Sequence, residues 1–241
     1  MSTHAPRDET PVEEIEEAVR PSRAYAMTYP WARIALGATA RVLAPRNRVS
    51  GIENVPRRGG VILASNHISD SDPPFILNAS PRALWFMAKR ELFDMTVLGL
   101  DFGPIIRFCQ AFPVDPGGAD RAALRRAEAL LEADQAVVIF PEGRCSKDGE
   151  LQEITSGTVM LALRAAAPIV PVGLWGTQSV MPYAQTVPRP SLSRVRVHFG
   201  APLDFNTLRD LPRREQREAA TQQLEDAMRQ ARDVARGETI I

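Results

Sequence analysis

Between Val61 and Gly176 the chain alternates strand-length apolar runs with segments of helical period, and this alternation limits the folds open to it. The runs are Val61-Ile62-Leu63-Ala64, Leu84-Trp85-Phe86-Met87-Ala88, Ala136-Val137-Val138-Ile139-Phe140 and the stretch from Pro168 to Gly176. They are continuously apolar, so each is expected to be a strand covered on both faces, as parallel sheets require. Between them, Ala123, Leu124, Ala127, Leu130 and Leu131 share one face of a helix over 120–133. Val159, Met160, Leu163 and Ala166 share one face of another over 156–167. The predicted class is α/β, a central and mostly parallel sheet flanked by helices. With 241 residues, 44% of them hydrophobic, the chain can fill one core of that size.

The first run ends in Asn66-His67-Ile68-Ser69-Asp70-Ser71-Asp72, and the following Pro73-Pro74 suits the first turn of a helix. A histidine and two carboxylates thus sit on a strand-to-helix turn, where parallel sheets present their ligand sites. Of the three histidines, His4 lies in a polar stretch and His198 in the alternating run Arg194 to Phe199; the alternation over Val195 to Phe199 predicts an edge strand, and His198 is expected to face solvent. Only His67 has partners at hand. Histidine takes a proton near neutral pH when its ring is held in one tautomer, and a carboxylate accepting the Nδ1 proton holds it so. Asp72, five positions on, is within reach through a tight turn. The same spacing fits Asp72 as a helix cap with His67 as a polar loop residue. A metal site from His67, Asp70 and Asp72 lacks a second histidine or an HExxH pattern.

Other strand ends carry charge as well. Lys89-Arg90 follows the second run, where phosphate binding and ordinary surface charge are both open readings. Pro141-Glu142-Gly143-Arg144-Cys145 follows the third, and the planar fork of an arginine suits phosphate. Cys109 and Cys145 are too few for a disulfide framework and suggest a reducing compartment; a small buried thiol is the ordinary role for Cys145.

Asn66-His67 followed by four residues and Asp72 resembles the first motif of the glycerolipid acyltransferase family, which includes the 1-acylglycerol-3-phosphate acyltransferases. Ala88-Lys89 with Glu91-Leu92 is similar to a further stretch of that family. Ala111 to Asp115, Phe140-Pro141-Glu142-Gly143 and Pro168 to Gly176 resemble its second, third and fourth motifs, in the family's order. The resemblance covers roughly Val49 to Pro202. It implies a glycerol-3-phosphate acyltransferase-like fold, with His67 as general base and Asp72 as its partner. It implies substrate binding by Glu142, Gly143 and Arg144, with Lys89 or Arg90. It also implies transfer of a fatty acyl group from acyl-CoA or acyl carrier protein to a lysophospholipid hydroxyl, with 1-acylglycerol-3-phosphate as acceptor. The thioester is a co-substrate, and neither a metal nor a further cofactor is implied. The chain has no G-x-S-x-G elbow, so a direct displacement without an acyl-enzyme is expected. Two positions depart from the family pattern. Pro116 stands where the second motif ends in an arginine that holds the acceptor's phosphate. Cys145 stands at the third motif's arginine, with Arg144 one place early in the hydroxyl position. Another lysolipid or an amino-lipid therefore stays open as acceptor. A non-catalytic lipid-binding membrane protein is the reading outside enzymes, and His67 with Asp72 speaks against it.

The flanks complete the division. Residues 1–20, with Glu13, Glu14, Glu16 and Glu17, are expected to form a polar acidic tail. Residues 21–47 are a basic amphipathic segment: Ala18 to Ile52 holds six arginines and no acidic residue, and Trp31, Ile34, Ala35, Ala38 and Val42 recur at helical spacing. That face either lies on an anionic membrane or packs on the domain, and Pro30 is expected to break the segment. The resemblance assigns residues 48–241 to the acyltransferase domain. Its last helix, over 213–236, turns Ala220, Leu224, Ala227, Met228, Ala231 and Val234 to the core. Neither a secretory signal nor a run of about 20 apolar residues is present, so a peripheral position on the cytoplasmic face of a membrane is expected. The expected partners are the thioester donor, the lysolipid and the membrane surface. A formal net charge of zero offers nucleic acid no electrostatic footprint.

Overall fold

The computed structural model describes residues 23–97, 99–101, 103–115, 120–185 and 187–237. The acidic tail, His4 and Pro116 lie outside them. Helix α1 (Arg23–Leu43) is followed by β1 (Arg48–Ser50), β2 (Val61–Ser65), α2 (Asp72–Ala79) and β3 (Leu84–Lys89). A small ribbon of β4 (Thr96–Val97) and β5 (Leu100–Asp101) precedes α3 (Gly103–Phe108), β6 (Ala111–Val114) and α4 (Arg121–Glu132). The chain continues through β7 (Ala136–Ile139), α5 (Gly157–Ala165), β8 (Ile169–Trp175), β9 (Arg196–Phe199) and α6 (Arg213–Arg236).

Among the described residues seven strands form one sheet in the order β1-β9-β8-β2-β7-β3-β6. Strands β6, β3, β7, β2 and β8 are parallel. Strand β9 runs against β8, and β1 runs with β9. The expected mostly parallel sheet is present, and the carboxyl ends of β3, β7, β2 and β8 share one rim.

The two-residue period sorts each apolar run between two helical layers. Leu63, Phe86, Val138 and Val172 pack with Tyr29, Ala40, Phe75 and Ile76 of α1 and α2. Ile62, Ala64, Trp85, Val137 and Ile169 pack with Ala127, Leu130, Val159, Leu224 and Met228 of α4, α5 and α6. Cover on both faces is why these runs do not alternate. Helix α6 lies closest to β8 at Gly173, where a Cβ would stand 2.0 Å from the Ala231 carbonyl oxygen. Only a residue without a side chain admits the helix backbone there. Gly37 brings α1 close to α2, where a Cβ would meet the end of the Asn78 side chain at 2.5 Å, a contact that a shift of that side chain relieves.

Three expectations are corrected. Helix α1 runs through Pro30 rather than breaking at it. Pro30 is exposed on the helix surface. Strand β9, read as an edge, is interior because β1 pairs outside it. His198 is therefore half-buried rather than solvent-facing: it stands opposite Ser50 in the ladder, with Nδ1 2.9 Å from Ser50 Oγ.

The apolar stripe of α1 does not pack on the domain. Tyr29, Gly37 and Ala40 turn inward, whereas Met27, Trp31, Ile34, Ala35, Ala38 and Val42 are exposed. Among the described residues no helix is long and apolar enough to cross a membrane.

Candidate active site

The site forms where β2 stops and the chain turns into α2. Asn66 is the hinge: its Nδ2 donates to the Leu174 carbonyl at 3.1 Å and its Oδ1 accepts the Leu174 amide at 2.7 Å. The side chain thus continues the β2–β8 ladder while the backbone leaves it. His67 comes next. Its Nδ1 lies 2.9 Å from Asp72 Oδ2, and the same oxygen accepts the amides of Ile68 at 2.8 Å and Ser69 at 3.0 Å. Asp72 is fully buried, and its Oδ1 has no hydrogen-bond partner among the described residues. The two readings of Asp72 resolve into one arrangement. It ties down the turn before α2 and, through the same atom, the imidazole.

The imidazole stacks on Phe140 at the end of β7, with ring centroids 4.2 Å apart and planes 24° from parallel. Its side chain keeps 17% exposure, so the ring is reachable from solvent. With Nδ1 committed to Asp72, Nε2 is the nitrogen left for a substrate proton.

A second tie comes from the loop after β7. Glu142 accepts the His67 amide on Oε1 at 2.8 Å and the Gln152 amide on Oε2 at 2.8 Å. The Ser146 amide donates back to the His67 carbonyl at 2.6 Å. Burial pushes the Glu142 carboxyl above its ordinary value, and the amides of Gln152 and His67 oppose that shift. Both oxygens are occupied by backbone, so this geometry places Glu142 as the link between two turns rather than as a direct contact for substrate. Glu142→Gln puts an amide NH2 against one of two backbone N–H groups. The expected cost is roughly 1–3 kcal/mol of stability, with turnover reduced roughly 10–100-fold as His67 shifts. Thermal unfolding and steady-state kinetics check both.

Gly143 closes the turn with φ of 65°, and its amide donates to the Phe140 carbonyl at 3.0 Å. A Cβ would meet nothing within 4 Å there, so the backbone angle selects glycine. Arg144 then projects with an exposed side chain. Gly143 and Arg144 line a cleft of about 690 Å³ whose other wall includes Arg217, Thr221 and Gln222 of α6. Helix α6 also clamps the far part of this loop. Arg232 Nη1 donates to Glu150 Oε2 at 2.6 Å, and Arg236 Nη1 to Glu150 Oε1 at 2.9 Å.

Of the two cations expected at the end of β3, Arg90 is engaged. It forms a two-pronged pair with Asp115 at 2.5 and 3.0 Å, and the guanidinium holds the Asp115 carboxyl below its ordinary value. Lys89 is exposed, and its charge reaches the Cys145 thiol. Arg90 is thus committed to Asp115, while Lys89 at the same strand end makes no such pair among the described residues.

Burial, with Asp72, Asp70 and Glu142 nearby, pushes the Cys145 thiol up to about 12. At pH 8 about one molecule in 10⁴ would carry a thiolate. Cys145 is therefore expected to resist iodoacetamide at neutral pH, with alkylation rising about tenfold per pH unit above it. Cys145→Ser is expected to retain full activity. Mass spectrometry and kinetics check these outcomes. Among the described residues no three His, Cys, Asp or Glu side chains are grouped to hold a metal ion.

Sequence reasoning paired His67 with Asp72 and placed Glu142 among the substrate-binding residues; the structure brings all three together, with both Glu142 oxygens on backbone amides. It missed the stacking of Phe140, the ladder role of Asn66 and the return bond from Ser146. The polar Asn66 directly after an apolar strand was the available signal.

The acyltransferase family model, described as "Acyltransferase", matches residues 46–175, more than half of the chain. The 1-acyl-sn-glycerol-3-phosphate acyltransferase of Streptococcus pneumoniae is 30% identical over 153 residues, covering 62% of this chain and 52% of that protein. The protein of the same name from Limnanthes douglasii is 30% identical over 130 residues, covering 54% and 45%. The chain thus spans about half the length of the curated relatives it matches. In fold it is similar to the crystal structure of the 1-acyl-sn-glycerophosphate (LPA) acyltransferase PlsC from Thermotoga maritima. That match has a TM-score of 0.67 at 24% identity and covers 92% of this chain and 88% of the other. The matched span begins just before β1 and ends with β8, so it takes in the His67 turn, Lys89 and the Glu142–Arg144 loop. The chain belongs to the acyltransferase family.

Proposed function

We propose that this chain is an O-acyltransferase that moves a fatty acyl group from a thioester donor, acyl-CoA or acyl carrier protein, to a lysolipid hydroxyl. The names of its relatives favour 1-acylglycerol-3-phosphate as acceptor and phosphatidic acid as product. The observation that carries the reading is the His67–Asp72 pair at the carboxyl end of the central strand, with Nε2 left for a proton.

His67 Nε2 takes the acceptor hydroxyl proton as the oxygen attacks the thioester carbonyl. Asp72 fixes the tautomer and offsets the imidazolium charge. Collapse of the tetrahedral intermediate breaks the carbon–sulfur bond, and the departing thiolate takes the proton from the imidazolium. The amides of His67, Ile68 and Ser69 are committed to Glu142 and Asp72, so donors to the oxyanion must come from outside this turn. Arg144 and Lys89 neutralise phosphate on acceptor or donor.

The exposed apolar face of α1, with exposed Arg41 at its end, rests on an anionic membrane surface, a peripheral position on the cytoplasmic face. The division into a tail over 1–20, a membrane-associating segment over 21–47 and a catalytic domain over 48–241 belongs to the same reading.

A second acceptor class is favoured by a specific observation: Pro116 and Cys145 occupy positions where the family pattern has arginine. Competition separates the two. Lysophosphatidic acid outcompeting neutral lysolipids and lyso-amino-lipids supports the first reading, and the reverse order supports the second. Running each acceptor with acyl-CoA and with acyl carrier protein identifies the donor.

A further inference from the structure

The exposed apolar surface does not end with α1. In the proline-rich loop over 182–194, Tyr183, Val187 and Leu192 are 49%, 51% and 72% exposed, comparable with Trp31 at 72% and Ile34 at 63% on α1. Single exposed hydrophobic residues are ordinary, but a run of them in two adjoining segments is not. The Ser191 amide donates to the Leu43 carbonyl at 2.7 Å, which sets Leu192 beside the end of α1 that carries Val42. The Arg189 amide bonds the Val180 carbonyl at 2.8 Å, and Ser191 Oγ lies 2.9 Å from Ser179 Oγ.

Those contacts fasten the loop to the segment that supports the catalytic turn. Ser69 Oγ donates to the Met181 carbonyl at 2.7 Å and Ser71 Oγ to the Thr177 carbonyl at 3.3 Å. The loop also touches the other side of the site, with Lys147 Nζ 5.3 Å from the centre of the Tyr183 ring.

Charge indicates the occupant. From Ala18 to Ile52, and again from Ile154 to Leu203, the chain has no aspartate or glutamate. Arg41, Arg46 and Arg48 on α1 and its exit, and Arg189 and Arg194 on the loop, are exposed. An apolar surface bordered by these arginines, with Lys147 beside Tyr183, complements an anionic bilayer, where apolar side chains enter the interface and the cations meet lipid phosphates.

We infer that the 182–194 loop is a second bilayer contact. Together with α1 it forms one docking face for anionic lipid, and it sets the mouth of the His67 site at headgroup level. The inference rests on the membrane reading of α1 and adds a separate element to it.

The full-length chain is tested with phosphatidylglycerol-rich and pure phosphatidylcholine vesicles by flotation. A loop variant (Tyr183→Ser, Val187→Ser, Leu192→Ser) is run beside an α1 variant (Trp31→Ser, Ile34→Ser). All five side chains are exposed, so both variants are expected to unfold at the wild-type temperature. The loop variant is expected to bind anionic vesicles at least roughly tenfold more weakly. It should lose transfer to vesicle-embedded lysolipid in proportion and act normally on a short-chain acceptor in free solution. A loop variant that binds like wild type, while the α1 variant does not, overturns the inference and leaves the α1 reading standing. Wild-type binding by both variants overturns both. Equal binding of wild type to the two vesicle types overturns the anionic occupant. A stable dimer that the loop variant dissociates would assign the face to a second copy of the chain instead.

Discussion

Replacing His67 with alanine is expected to lower acyl transfer by roughly 10²–10⁴-fold, the range that a positioned general base contributes. The loss should be chemical rather than structural. Without the imidazole, Asp72 Oδ2 still accepts the amides of Ile68 and Ser69, and Glu142 still holds the backbone at position 67. The ring itself packs mainly on Phe140 and is partly open to solvent, so its removal leaves a dent at the surface rather than a sealed cavity. The melting temperature should stay near that of wild type, and the donor KM should change little. Steady-state kinetics and a thermal melt on the same preparation check the three statements together. A fall in melting temperature that matched the fall in activity would mean that His67 serves the fold.

Asp72→Asn is expected to cost a similar amount in turnover, roughly 10²–10⁴-fold, for a different reason. The asparagine oxygen can take the place of Oδ2 and accept the same three N–H groups. Its NH2 then occupies the place of Oδ1, which is buried and has no hydrogen-bond partner among the described residues. The turn is kept at a cost of roughly 1–3 kcal/mol for the stranded donors, while the charge that offsets the imidazolium is gone. Asp72→Ala is a poorer probe, because it strands the amides of Ile68 and Ser69 as well as the ring nitrogen. If His67 and Asp72 act as a unit, the double variant His67→Ala/Asp72→Asn should be hardly slower than His67→Ala alone. Additive losses in turnover would show that the two residues work independently.

Much of this arrangement was legible in the chain because it is local. Asp72 lies five positions from His67, so a single turn unites them, and residue types and spacing carry the information. Helix α6 was readable for the same reason: its apolar residues repeat at helical spacing from Ala220 to Val234, and its bounds fall at Arg213–Arg236 as expected. What sequence could not supply is long-range. The link from Glu142 to the His67 amide joins residues 75 apart, and the Asn66 contacts with Leu174 join residues 108 apart. Nothing in the local pattern of either segment specifies its partner. The misplacement of β9 has the same origin. Alternation marks a strand with one wet face or one lightly covered face, and only the pairing of β1 with β9 shows which applies. The α1 stripe shows the limit from the other side. Periodicity identified the face, but only the packing of Tyr29, Gly37 and Ala40 shows that the opposite face is the one the domain uses.

The central claim is that the His67–Asp72 pair drives acyl transfer to a lysolipid hydroxyl. It is tested most directly in one assay, with labelled acyl-CoA, or acyl carrier protein loaded with the same acyl chain, incubated with and without lysophosphatidic acid. Wild type and His67→Ala are run side by side, and free thiol and labelled lipid are both counted. The account predicts that wild type releases thiol only when lysophosphatidic acid is present, with one labelled phosphatidic acid formed per thiol released, and that His67→Ala does neither at a comparable rate. Labelled lipid produced at the wild-type rate by His67→Ala would contradict the account. So would thiol released by wild type with labelled fatty acid as the only product.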